Sequence, residues 1–223
     1  MLRVAGVILV ALACMRPGMM HAEEGRFQAT SEARHFRLAL KWHAATRRMS
    51  EDEFRLAACV AELSSCDDGE TRLRSIIEEG RSREGRARIG GINRAVNLMI
   101  RPASDVLRFG VADHWASPLE TVSAGAGDCE DYAILKLLAL QAAGIARDDL
   151  RMIIVHDHVM RRDHAVAAAR VDGRWLLLDN RTFALVDLAD TRYRVLAQLS
   201  PDVDHPHYAA LETAAPQDDG GVM

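Results

Sequence analysis

The sequence predicts an α+β fold in which helices come first and an antiparallel sheet follows. Three observations carry this. Helical periodicity and helix-end signals recur between residues 31 and 100. The run from Asp131 to Ala143 is apolar on nearly every side, which suits a central helix packed all round. After it come short runs rich in Ile, Val and Leu, two of them joined by Asp172-Gly173, a strong two-residue hairpin signal.

Residues 1–22, MLRVAGVILVALACMRPGMMHA, have the form of a signal peptide: Arg3, an apolar core from Val4 to Ala13, and Ala22 as the cleavage residue. The apolar core is too short to span a bilayer stably. Retention as an N-terminal anchor is one alternative, and lipid attachment at Cys14, after Leu12-Ala13, is another. Residues 31–48 read as an amphipathic helix with Phe36, Leu40 and Ala44 among its apolar positions. SEDE, Ser50 to Glu53, is a capping box and predicts that a second helix starts there. Helices are also expected over 71–79 and 89–100, the last stopped by Arg101-Pro102. A loop, 103–127, holds Trp115 and Pro118 and leads to the apolar helix, which Gly144 caps. Strands follow at 150–155, 164–171 and 174–179, then a further strand and a polar edge within 183–199. From Pro201 the chain is rich in Pro, Asp, Gly and Ala and reads as a poorly ordered tail. The organisation is a leader (1–22), a helical segment (23–84), one α+β domain (85–200) and a tail (201–223).

The chain has 28 basic and 32 acidic residues, and removing the leader would take Arg3 and Arg16 but no acid. Scattered basic residues and an acidic balance argue against a nucleic-acid partner. RSREGRAR, 81–88, reads as a solvated face or loop, with a docking patch as the alternative. Export would leave Cys59, Cys66 and Cys129 in an oxidising compartment. On one continuous helix Cys59 and Cys66 would stand roughly 10 Å apart, too far for a disulfide. Pairing therefore requires the helix to end near Ser64-Ser65. Cys129 is then the odd thiol.

The hairpin register can be derived. With Asp172 and Gly173 as the loop, Val171 faces Arg174 and Val166 faces Asp179. Side chains alternate, so His164, Val166, Ala168 and Arg170 share a face with Trp175, Leu177 and Asp179. His164 becomes the diagonal neighbour of Asp179 at one end of an apolar face. A histidine held by an aspartate, with a cysteine at a helix start, are the parts of a thiol nucleophile system. A buried structural cysteine beside an unrelated His–Asp hydrogen bond is the alternative. His156 and His158 in VHDHV suggest either a metal pair or plain strand-edge histidines.

GDCEDYAILK, then HAV, then LLLDN resemble the bacterial transglutaminase-like cysteine proteinases of the LapG type. INRAVN at 92–97 and DHWASPLET at 113–121 agree, so the likeness spans roughly 85–200. The resemblance implies a papain-like, transglutaminase-like fold. It implies Cys129 as nucleophile, His164 as base and Asp179 as orienting acid. It further implies a periplasmic, calcium-dependent endopeptidase that cuts large surface adhesins at a pair of alanines and is restrained by an inner-membrane receptor for cyclic di-GMP. Calcium ligands would come from the acids of GDCED: Asp128, Glu130 and Asp131. Uncompensated, these carboxylates disfavour a thiolate, and a divalent cation would neutralise them. A loop acid such as Asp148 would help complete the shell. The alternative is that Glu130 and Asp131 only complement the helix dipole. Trp115 is a candidate oxyanion donor, with packing as its other reading. The same three residues would also serve acyl transfer to an amine, and an exported binding protein lacking activity is the rival from outside enzymology.

Overall fold

The computed structural model describes residues 17–61, 66–201 and 208–210. The leader up to Arg16, with Cys14, and most of the tail lie outside them. Among the described residues no helix is long and apolar enough to cross a membrane. The chain divides into residues 1–38 and 39–223, with the helix α1 (Pro17–Ala61) running through the boundary.

The helix start expected at Ser50 does not occur, because α1 continues to Ala61. The residues that suggested a cap are used otherwise. Ser50 Oγ donates to the Thr46 carbonyl at 3.2 Å, one turn back in the same helix. Asp52 accepts the Leu119 amide at 2.8 Å and Glu53 accepts Gln141 Nε2 at 2.7 Å. The buried face runs through Trp42, Ala45, Met49, Leu56 and Cys59, whereas Phe36 and Leu40 are exposed. α1 ends before Cys66, as a Cys59–Cys66 bond requires, and the disulfide is present with Cα atoms 5.1 Å apart.

Two helices follow: α2 (Asp68–Arg81), opened by a capping box between Asp67 and Glu70, and α3 (Gly85–Met99). The segment expected to be loop contains two short helices, α4 (Asp105–Phe109) and α5 (Pro118–Ala124), the latter with its own Ser117/Glu120 capping box. Its end, β2 (Ala126–Gly127), forms a two-residue parallel ladder with β1 (Arg101–Pro102), which lies just before it.

α6 (Cys129–Ala142) is the central helix. Tyr132 to Leu140 are all buried, Lys136 included. Gly144, at φ +96°, ends it. The amides of Gly144 and Ile145 donate to Gln141 and Leu140, the paired bonds of a Schellman turn. α6 packs against α2, α3 and α5 and against the sheet strands β3 (Leu150–Asp157) and β4 (Arg162–Val171). Buried alanines at 165, 167, 168 and 169 leave room for close approach of helix and strand.

The main sheet has the order β6-β5-β4-β3-β7-β8, antiparallel throughout, with β5 (Arg174–Leu178), β6 (Val186–Asp187), β7 (Arg194–Leu199) and β8 (Tyr208–Ala210). Val171 pairs with Arg174 and Ala167 with Leu178, which is the derived register. Asp172 and Gly173 both take positive φ, as a type I′ turn demands. Ile153, Val155, Val166, Ala168 and Leu177 form one core layer. β8 lies inside the segment read as an unordered tail and pairs with β7. The fold is α+β.

Candidate active site

The site gathers at one end of α6. His164 and Asp179 are both buried, and His164 Nε2 lies 3.0 Å from Asp179 Oδ1. This is the diagonal contact expected from the hairpin. It leaves Nδ1 as the ring nitrogen free for another partner. Asp179 Oδ1 also accepts the Arg181 amide at 2.9 Å, and Oδ2 accepts the Tyr193 hydroxyl at 3.0 Å. Burial alone would raise this carboxyl. The hydrogen bonds and charge of His164, with the Arg181 amide and the Tyr193 hydroxyl, outweigh it and hold Asp179 at about 2. Tyr193 comes from the chain just before β7, and no sequence signal marks it.

Cys129 is the first residue of α6 and the free cysteine of the described residues. Its sulfur receives the Ala165 amide, one residue beyond His164, so the helix start meets β4 beside the histidine. The thiol itself donates to Glu130 Oε2 at 2.9 Å. Burial first, then the charge and hydrogen bond of Glu130, push the thiol up, and the Ala165 amide only partly opposes them.

The acids of GDCED divide. Asp128 and Asp131 converge with Asp105, and one carboxylate oxygen from each lies within 4.8 Å of the others. The parallel ladder explains this meeting. β1 and β2 run the same way and exit at the same end, β1 toward Asp105 and β2 straight into Asp128. A Cβ at Gly127 would sit 2.7 Å from Asp131 Cβ, so only glycine allows that approach. Glu130 is not in the cluster, because its carboxylate is taken up by the Cys129 thiol and by Asp128. Asp148 is not in it either. It lies in the 3-10 turn 147–149, beyond the opposite end of α6. Asp105, which the sequence did not mark, takes the third place.

The donor set fits a hard divalent cation. Three carboxylates converge, and Oδ1 of Asp105 and of Asp128 are buried with no hydrogen-bond partner. The remaining oxygens are committed. Asp105 Oδ2 accepts the His114 amide, and Asp131 accepts the Ala116 amide at 2.8 Å and Arg108 Nη1 at 2.5 Å. Burial, then the charge of Glu130, raises Asp128 to about 9. Burial raises Asp131 to about 6 against the Ala116 amide and Arg108. Arg108 offsets one of these crowded, buried charges, that of Asp131, and leaves the cluster with an excess of negative charge.

Trp115 is buried edge-on to Trp42, with ring centroids 6.4 Å apart, and its carbonyl accepts Arg48 Nη2 at 2.5 Å. Packing accounts for its contacts. His156 is paired with Asp163 across the β3–β4 ladder at 2.8 Å, and neither it nor His158 joins the metal-capable group found among the described residues. The 81–88 run is exposed over most of its length, with Arg81 and Arg83 paired to Glu78 and Glu79, as a solvated face should be.

Known proteins share this fold. Legionella pneumophila LapG superposes with a TM-score of 0.54 at 20% identity over 71% of this chain and 85% of that one. Its calcium-bound form gives 0.56 at 20% identity over 74% and 88%, and its EGTA-treated form 0.57 at 19% over 77% and 88%. At such identities the likeness concerns the fold. No match was found among curated proteins. The sequence model of the bacterial transglutaminase-like cysteine proteinases matches residues 56–214, from within α1 to beyond β8. With a match over well more than half its length, the chain belongs to that family and is a transglutaminase-like cysteine peptidase.

Proposed function

We propose that the protein is an exported endopeptidase in which Cys129 is the nucleophile, His164 the base and Asp179 the acid that orients it. The observation that carries this reading is the buried His164–Asp179 pair at 3.0 Å, on the strand whose next amide meets the Cys129 sulfur. With Nε2 committed to Asp179, His164 Nδ1 is the atom to take the thiol proton. The sulfur then attacks the substrate carbonyl, and the imidazolium returns the proton to the departing amine, leaving a thioester. Water, deprotonated by His164, adds to the thioester, and the acid and thiol are released.

Asp105, Asp128 and Asp131 would hold calcium, which supplies the positive charge that the crowded carboxylates beside the thiol lack. The existence of calcium-bound and EGTA-treated forms of the Legionella protein supports this choice of ion. The Cys59–Cys66 disulfide supports an oxidising compartment, hence the periplasm. The family resemblance further supports a large surface adhesin as substrate and an inner-membrane cyclic di-GMP receptor as restraint.

The test uses mature protein, the N-terminal region of such an adhesin, and calcium or EGTA, with product ends sequenced. Cleavage next to paired alanines, lost in EGTA and in Cys129→Ala, is expected. An intact adhesin would remove that substrate, and iodoacetamide labelling of Cys129 no faster than a free thiol would remove the nucleophile assignment.

A further inference from the structure

A lysine occupies the middle of the most buried helix. Lys136 is fully buried in α6, and a hydrophobic residue there would avoid the desolvation of an ammonium. It shares one helix face with Cys129 and Tyr132, which stand seven and four residues before it. Its Nζ donates to the Leu178 carbonyl at 2.9 Å, sits 5.6 Å from the centre of the Tyr132 ring, and faces the charge of Asp179.

The acceptor it chooses has a structural reason. The ladder from β5 to β6 ends at Leu177 and the ladder to β4 ends at Leu178. Beyond that point the chain leaves the sheet while still inside the protein, so its carbonyls need side-chain donors. Lys136 serves Leu178. Asn97, from α3, serves the next carbonyl, that of Asp179, at 2.9 Å, and Thr182 at 3.0 Å. Asn93, one turn earlier on α3, also donates to Thr182, at 3.2 Å. Donors from two different helices thus grip consecutive carbonyls on the segment that carries the orienting acid.

We propose that Lys136 and Asn97 are positioning residues for Asp179: by holding the Leu178 and Asp179 carbonyls they set the carboxylate against His164, and so tune the thiol at the other end of the same helix face. This rests on the Cys129–His164–Asp179 reading above. Neither residue touches substrate. When protonated, the lysine also adds what a neutral donor lacks, a positive charge that favours ionised Asp179.

The test is the rate of iodoacetamide alkylation of Cys129 in the full mature protein, in calcium chloride, across pH, with thermal melting alongside. Lys136→Met keeps the bulk and removes the donor and charge. It should lower the rate at pH 7 by about tenfold or more and shift the pH profile, with the melting temperature unchanged or higher. Asn97→Ser, at a half-buried position, should lower it in the same direction and carries the test if Lys136→Met does not fold. Lys136→Met combined with Asp179→Asn should be no slower than Asp179→Asn alone. Wild-type rates in the foldable single variants, with Asp179→Asn slow, would overturn the proposal while leaving the triad. Further loss in the double variant would overturn it too, since Lys136 would then act elsewhere. A wild-type rate in Asp179→Asn would instead sink the triad reading itself.

Discussion

The Cys129 thiol donates to Glu130 Oε2 at 2.9 Å, so the thiol proton is held by the carboxylate next to it in sequence. Without a cation this contact opposes thiolate formation. In EGTA at pH 7, Glu130→Gln should therefore alkylate faster than wild type, by about tenfold if one pKa unit is recovered. An unchanged or slower rate would show that Glu130 does not hold the proton.

Asp105 should be a cation ligand although it lies outside GDCED. Asp105→Asn should weaken calcium binding by about tenfold or more, since it removes one of three converging charges. Asp148→Asn should leave the affinity unchanged. Calorimetric titration of EGTA-stripped protein distinguishes the two, and equal affinities in all three proteins would dismiss Asp105.

Stability of the cation-free protein should fall as pH rises from about 4 to about 7. Asp128 and Asp131 have folded values of about 9 and about 6, above the ordinary 3.8, so the folded state holds protons that the unfolded state has lost, and stability drains away across that window. Above about 7 the trend should flatten. Burial lowers Lys136 from 10.5 to about 7, so there the unfolded state binds the extra proton and stability gains with pH, opposing Asp128. Asp179, held at about 2 when folded, adds a small opposing rise near pH 4, where the unfolded carboxyl is still partly protonated, and no slope above about pH 5. Melting curves with EGTA and with calcium check this; calcium should remove most of the fall.

The Cys59–Cys66 bond closes a short loop between α1 and α2. Chain-entropy arguments put its contribution at roughly 2 to 3 kcal/mol. Replacing both cysteines by serine should lower the melting temperature by several degrees, while alkylation of Cys129 in the folded protein keeps its rate. Equal melting temperatures for the serine variant and the oxidised wild type would contradict a structural disulfide.

Local and pairwise signals were readable in advance. The apolar run from Asp131 to Ala143 suited a central helix packed all round, and Asp172-Gly173 set a register that makes His164 and Asp179 diagonal neighbours, because a two-residue turn leaves one way to count pairs. The motif GDCED placed a thiol and two of the three converging acids at a helix start. What neighbours in sequence cannot specify came from tertiary structure. The SEDE signal at Ser50 failed because the face from Trp42 to Cys59 packs continuously and Asp52 and Glu53 reach other helices. Glu130 turned to the thiol, and its expected place in the acid cluster went to Asp105, brought in by a two-residue parallel ladder. Tyr193 and Lys136 joined the Asp179 environment from a distant loop and from the core. The sequence by itself determined that Cys129 opens the buried helix and that His164 meets Asp179, since helix and hairpin periodicity are local; only the tertiary structure decided which acid faces the thiol, which acids converge, and what holds Asp179 in place, since those depend on segments that meet only when the core is buried.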